Sequence, residues 1–118
     1  MATDVDIAIV GAGPVGLTLA LLLVERGLPA ARLLLLDAKA ADLAAADPRS
    51  LALSWGSRQI LEDVDAWKIA ATPIHQIHVS RRGRFGRTLI DRDEYRLPAL
   101  GYVTRYGALV SALSASAP

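Results

Sequence analysis

Residues Ile7 to Val24 form a run of 18 positions without a charge, broken only by Gly11, Gly13, Pro14 and Gly16. Its first part, Val5 to Val10, is rich in β-branched residues and stops at glycine, so it predicts a strand buried on both faces. Pro14 stands where a helix tolerates a missing N–H. Gly27 follows Glu25 and Arg26 where a left-handed residue would end that helix, which predicts a helix over 14–26. Leu17, Leu19, Leu21, Leu22, Leu23 and Val24 surround most of its circumference, so other structure should cover it widely. Arg32 to Asp37 is the next apolar stretch. Strand, helix and strand in this order imply a right-handed parallel crossover with two adjacent parallel strands.

Farther along the pattern changes twice. After a loop around Lys39 to Arg49, the spacing of Leu53, Ile60 and Leu61 predicts a helix over Ser50 to Val64 with Ser50 as N-cap. A short helical piece follows near Ala66 to Ala70. From Ile74 the period becomes two, because Ile77 and Val79 alternate with Gln76, His78 and Ser80. Arg87 to Asp91 then supplies the partner strand of an antiparallel hairpin. Tyr102 and Val103 predict a short strand, Tyr106 to Leu113 a helix with Leu109, Val110 and Leu113 on one face, and Ser114 to Pro118 a featureless tail. The fold class is therefore α/β: an N-terminal βαβ Rossmann-type unit with an antiparallel hairpin insertion. An open doubly wound sheet usually has five or six strands, so 1–118 reads as the N-terminal portion of one domain whose three-layer fold is incomplete.

Composition narrows the function classes. The 118 residues are 53% hydrophobic and 21% charged, which suits a globular chain, and thirteen basic against twelve acidic residues leave a net charge of +1. No global field draws the chain to nucleic acid or to an anionic membrane. Cysteine is absent, so there is no thiolate nucleophile and no disulfide, and the default compartment is the cytoplasm. The apolar run is not read as a signal peptide, since Asp4 and Asp6 precede it in place of a basic region and glycines interrupt it.

The candidate chemistry lies in Gly11-Ala-Gly13-Pro14-Val-Gly16, a G-x-G-x-x-G set between a predicted strand and a predicted helix. Gly11 allows the tight turn, Gly13 lets the backbone approach a pyrophosphate, and Gly16 lets the helix pack closely. Pro14 begins the helix whose N-terminus offers N–H groups and a partial positive charge to phosphates. Asp37, at the end of the second strand, stands where this fold places an acid for the adenosine ribose. A carboxylate there would repel a 2′-phosphate, which disfavours NADP and leaves FAD and NAD open.

Asp47-Pro-Arg-Ser-Leu-Ala-Leu-Ser54, taken with GAGPVGLTLALLL, Ile74-His-Gln-Ile-His-Val79 and Leu100-Gly-Tyr-Val103, resembles the FAD-dependent aromatic hydroxylases of the ubiquinone-biosynthesis type, within the single-component flavin monooxygenases. The resemblance implies that Gly11, Gly13, Pro14, Gly16 and Asp37 hold the ADP half of FAD and that Arg49 approaches the cofactor, where a guanidinium offers several fixed donors. It also implies a polar cofactor contact where the last helix begins, at Arg105 or Tyr106. In such enzymes NAD(P)H reduces the flavin, which then uses oxygen to hydroxylate an aromatic or prenylated phenol. Family members are considerably longer, so the chain is expected to be inactive alone, to hide truncated apolar surface by self-association, and to leave its catalytic residues unknown. Peripheral membrane association is a further expectation. The alternatives are a NAD-binding Rossmann oxidoreductase fragment and a non-catalytic remnant or interaction module.

Other clusters carry less. Arg81, Arg82, Arg84 and Arg87 with Phe85 read as a solvated hairpin tip rather than a nucleic-acid patch. His75 and His78 fall on opposite faces of an extended segment, so no metal is assigned. Asp91, Asp93 and Glu94 read as solvated acids, and Trp55 and Trp67 as packing anchors between helices.

Overall fold

In the computed structural model, which describes residues 4–39 and 41–117, β1 (Ile7–Val10) and β2 (Leu33–Leu36) pair in parallel, from Ile7 opposite Leu33 to Val10 opposite Leu36. Residues 1–3, 40 in the expected loop, and 118 at the end of the expected tail lie outside the described residues. Between the two strands runs α1 (Pro14–Glu25). Its C-terminus is closed by two backbone bonds, from the Gly27 N–H to the Val24 carbonyl and from the Leu28 N–H to the Leu23 carbonyl. Gly27 has φ +107°, the left-handed geometry expected of it. The expectation that the first strand is buried on both faces is not met. Ile9 is buried, but Val10 next to it is 84% exposed, and burial alternates along β1 as it does when one face is packed and the other open.

The middle of the chain departs from the predicted pattern. The expected loop of 39–49 contains a short helix, α2 (Ala41–Ala45), and the expected helix over Ser50 to Val64 divides into β3 (Ser50–Ser54) and α3 (Trp55–Asp63). Ser50 is therefore not the N-cap. Ser54 is, its Oγ accepting from the Ser57 N–H at 3.1 Å. The residues of β3 make the reason plain: Leu51 and Leu53 are half-buried while Ser50, Ala52 and Ser54 are exposed, which is a period of two. Ala66 to Ala70 is not helical. Asp65 takes φ +57° and the Ala66 N–H bonds the Leu61 carbonyl, which turns the chain out of α3.

Next come β4 (Thr72–Ile74), β5 (Gln76–Ser80), β6 (Arg87–Asp91), β7 (Gly101–Arg105) and α4 (Tyr106–Ala115). The predicted hairpin forms as β5 against β6, with Ile77 opposite Ile90 and Val79 opposite Thr88. The late strand β7 is central to a second sheet, antiparallel to β3 on one side and to β4 on the other. The last helix runs past Leu113 into the expected tail.

The core lies where α1, α3 and α4 meet. Leu17, Leu21, Leu61, Leu109, Val110 and Leu113 are buried there, and Leu109 and Leu113 are almost wholly enclosed. At its border Trp55 and Trp67 flank Tyr102, and the Arg58 guanidinium lies 4.8–5.6 Å from all three ring centroids. Arg58 also donates to the Tyr102 hydroxyl at 2.8 Å and to Glu62 at 2.7 Å, joining α3 to β7. Trp55 thus joins α3 to β7, while Trp67 packs both on Tyr102 and on the core formed by the helices.

Candidate functional site

The turn between β1 and α1 is shaped by its glycines. Gly11 adopts φ +111°, a conformation L side chains rarely take, and its N–H bonds the Leu36 carbonyl at 2.6 Å, tying the turn to the end of β2. A Cβ at Gly16 would stand 1.8 Å from the Gly11 carbonyl oxygen, so α1 can sit this close to the turn only with glycine there. Pro14 opens α1 without an N–H to satisfy. No side chain caps the helix and its first turn holds no acid. The first-turn N–H groups therefore have no side-chain cap, and with the positive end of the helix dipole they suit an anion. A groove of about 340 Å³ lies alongside, lined in part by Val10, Gly11, Gly13 and Val15.

Asp37 follows the last residue of β2, next to this turn. One of its carboxylate oxygens accepts from the Ala12 N–H at 2.7 Å and the other from the Lys39 N–H at 2.8 Å. These two backbone donors, Lys39 first and Ala12 second, hold the carboxyl below the usual range, so it is ionised at neutral pH. A carboxylate oxygen can accept more than one hydrogen bond, so both retain capacity for a hydroxyl donor.

Arg49 reaches the same region from another direction. Its Nε and Nη2 donate to the two oxygens of Asp47 at 2.8–3.0 Å. The Asp47 side chain is only 8% exposed, and the Arg49 side chain, followed by the Arg49 backbone N–H, lowers its pKa to about 2. Lys39 stands 3.9 Å from the same carboxylate, so two cations share one anion. The Arg49 guanidinium lies 4.8 Å above the ring of Tyr106, and a Cβ at Gly13 would be 3.1 Å from the Tyr106 hydroxyl. Arg49, Tyr106 and Gly13 thus form one stack leading to the turn.

Backbone contacts fix this stack. The Tyr106 N–H bonds the Arg49 carbonyl at 2.8 Å and the Gly107 N–H bonds the Asp47 carbonyl at 3.3 Å. A Cβ at Gly107 would fall 2.2 Å from the Ala45 carbonyl oxygen, so α4 can begin against this segment only with glycine at its second position. Arg105 is exposed at the end of β7, paired in register with Ser50, and makes no capping bond to α4. Of the two residues expected at the start of the last helix, Tyr106 is the one beside Gly13. Sequence reasoning did not single out Asp47 or Gly107. The signal for Asp47 was local, since an acid two residues before Arg49 is placed to accept from its backbone N–H, as it does at 3.0 Å.

These residues suit a dinucleotide. The space at Gly11 is open where a side chain would project, the uncapped helix end favours an anion, Arg49 brings a guanidinium to the Tyr106 ring beside Gly13, and an ionised acid stands at the strand end for ribose hydroxyls. A family model described as FAD binding domain matches residues 4–97, a span that includes the glycine turn, Asp37, Asp47 and Arg49. That span is most of the 118 residues, and the chain belongs to this family, the FAD-binding domain of flavin monooxygenases.

Proposed function

We propose that this chain holds the ADP half of FAD for a monooxygenase that hydroxylates a phenolic ring, of the kind that acts in ubiquinone biosynthesis, with NAD(P)H as reductant and the cytoplasm as its compartment. The observation that carries the cofactor assignment is the meeting at one glycine turn of Asp37, just after β2, and of Tyr106, which opens α4 and carries the Arg49 guanidinium over its ring. Asp37 would accept from ribose hydroxyls, the α1 N-terminus and Gly13 would receive the diphosphate, and Arg49 would offset its charge. When bound, the flavin supplies the redox and oxygen chemistry, and the protein supplies its placement. The resemblance of the Asp47 to Ser54 segment to aromatic hydroxylases supports the phenolic substrate. Among the described residues no helix is long and apolar enough to cross a membrane.

Calorimetric titration of the folded chain with FAD and, separately, with NAD tests the reading. Saturable heat with FAD and little with NAD is the expected result. Binding of NAD in preference to FAD would overturn it in favour of a nicotinamide-dependent oxidoreductase. Silence toward both would indicate a non-catalytic module.

A further inference from the structure

Arg49 is 69% exposed at its side chain, and a long exposed arginine ordinarily samples many rotamers. Here one side of its guanidinium is taken by Asp47 and one face by the Tyr106 ring. The edge carrying Nη1 donates to no group among the described residues. Asp47 is itself nearly covered, and its backbone is pinned at both ends of the contact: its N–H donates to the Ala44 carbonyl and its carbonyl accepts from Gly107. The anchor is thus fixed before any ligand arrives, and the arginine inherits that fixity. With Lys39 sharing the carboxylate, the trio keeps a net charge of +1, which the ionised Asp37, bonded to the Lys39 N–H, offsets.

We propose that Asp47 is a positioning residue of this site, holding Arg49 on the Tyr106 ring so that its free edge meets the diphosphate beside Gly13. The inference rests on the FAD-binding reading. It adds that an acid, which by charge alone would repel a diphosphate, strengthens binding because it orders the group that contacts it. Preordering of this kind spares the ligand the cost of fixing a rotamer-rich side chain on arrival.

The test is FAD affinity, read by quenching of flavin fluorescence, for the wild-type chain, Asp47→Asn, Arg49→Ala and the double variant. Removing the negative charge should, on charge alone, tighten FAD. Positioning instead predicts that Asp47→Asn weakens FAD by about tenfold, that Arg49→Ala weakens it at least as much, and that adding Asp47→Asn to Arg49→Ala changes nothing further. Asp47→Glu, which retains the acid, should recover part of the loss. Unchanged or tighter binding by Asp47→Asn would overturn the inference and leave the FAD reading intact. A loss that persists in full on the Arg49→Ala background would overturn it too, because Asp47 would then act through the fold. Failure of the folded wild-type chain to bind FAD overturns the reading and the inference with it.

Discussion

Glycine is required at some positions of this chain and dispensable at others, and the distances say which. At Gly16 an added methyl would meet a backbone oxygen at 1.8 Å, and backbone cannot swing aside as a side chain can. Gly16→Ala should therefore cost about 2–3 kcal/mol, as overpacking of a fixed site does, measured as a lower urea midpoint. Gly56 lies inside α3, where the same methyl would find only the Ser54 Oγ at 3.9 Å. Gly56→Ala should stabilise the chain by about 0.5–1 kcal/mol through helix propensity. Asp47 makes a second prediction at this scale. Its folded pKa of about 2 lies below the reference value of 3.8, so its contribution is present above pH 4 and is lost as pH falls toward 2. Asp6, Asp37 and Asp91 are also lowered and act in the same sense. Urea midpoints across pH 5 to 2 should thus fall for the wild type and fall less steeply for Asp47→Asn.

Between elements, the clearest link is the Arg58 cluster joining α3 to β7. Three rings and two hydrogen bonds engage one guanidinium that is 30% exposed. Arg58→Ala should cost about 2 kcal/mol, and Tyr102→Phe, which removes one hydrogen bond and keeps the ring, about 1 kcal/mol. Equal effects from the two would mean that the hydroxyl, not the stacking, holds the elements together. The elements themselves were unevenly legible. The βαβ unit was readable because strand, glycine turn, helix and Gly27 stop are local signals that agree with one another. The β3 strand was not, because Leu53, Ile60 and Leu61 also fit a helical period, and the alternation of Ser50 to Ser54 is only five residues long. In the site, Asp37 and Arg49 were visible as positions in motifs. The contact of Tyr106 with Gly13 was not, because it exists only once β7 has returned to β3.

At the scale of the molecule, the radius of gyration is 17.7 Å, against about 13 Å for a compact domain of this length. The extents of 65 × 29 × 25 Å say the same, and surface is exposed that a rounder shape would hide. Val10 and Val15 are each 84% exposed and Leu36 is 46% exposed, all on or beside the two-stranded sheet, whose outer edges are unpaired among the described residues. Open strand edges with apolar neighbours favour association. Sedimentation velocity should show a weight-average mass that rises with concentration, and Val10→Lys should return it toward that of the monomer. A single monomeric boundary at every concentration would contradict this expectation.

The position of β7 between β3 and β4 has a bearing on biosynthesis. The ribosome releases the chain from its N-terminus, so β3 and β4 emerge before the strand that must separate and pair them. Until residues 101–115 are clear of the exit tunnel, Leu17, Leu21 and Leu61 also lack the partners Leu109 and Leu113. The nascent chain must therefore wait with half a core and two unmatched strands, a state in which chaperones would find their substrate.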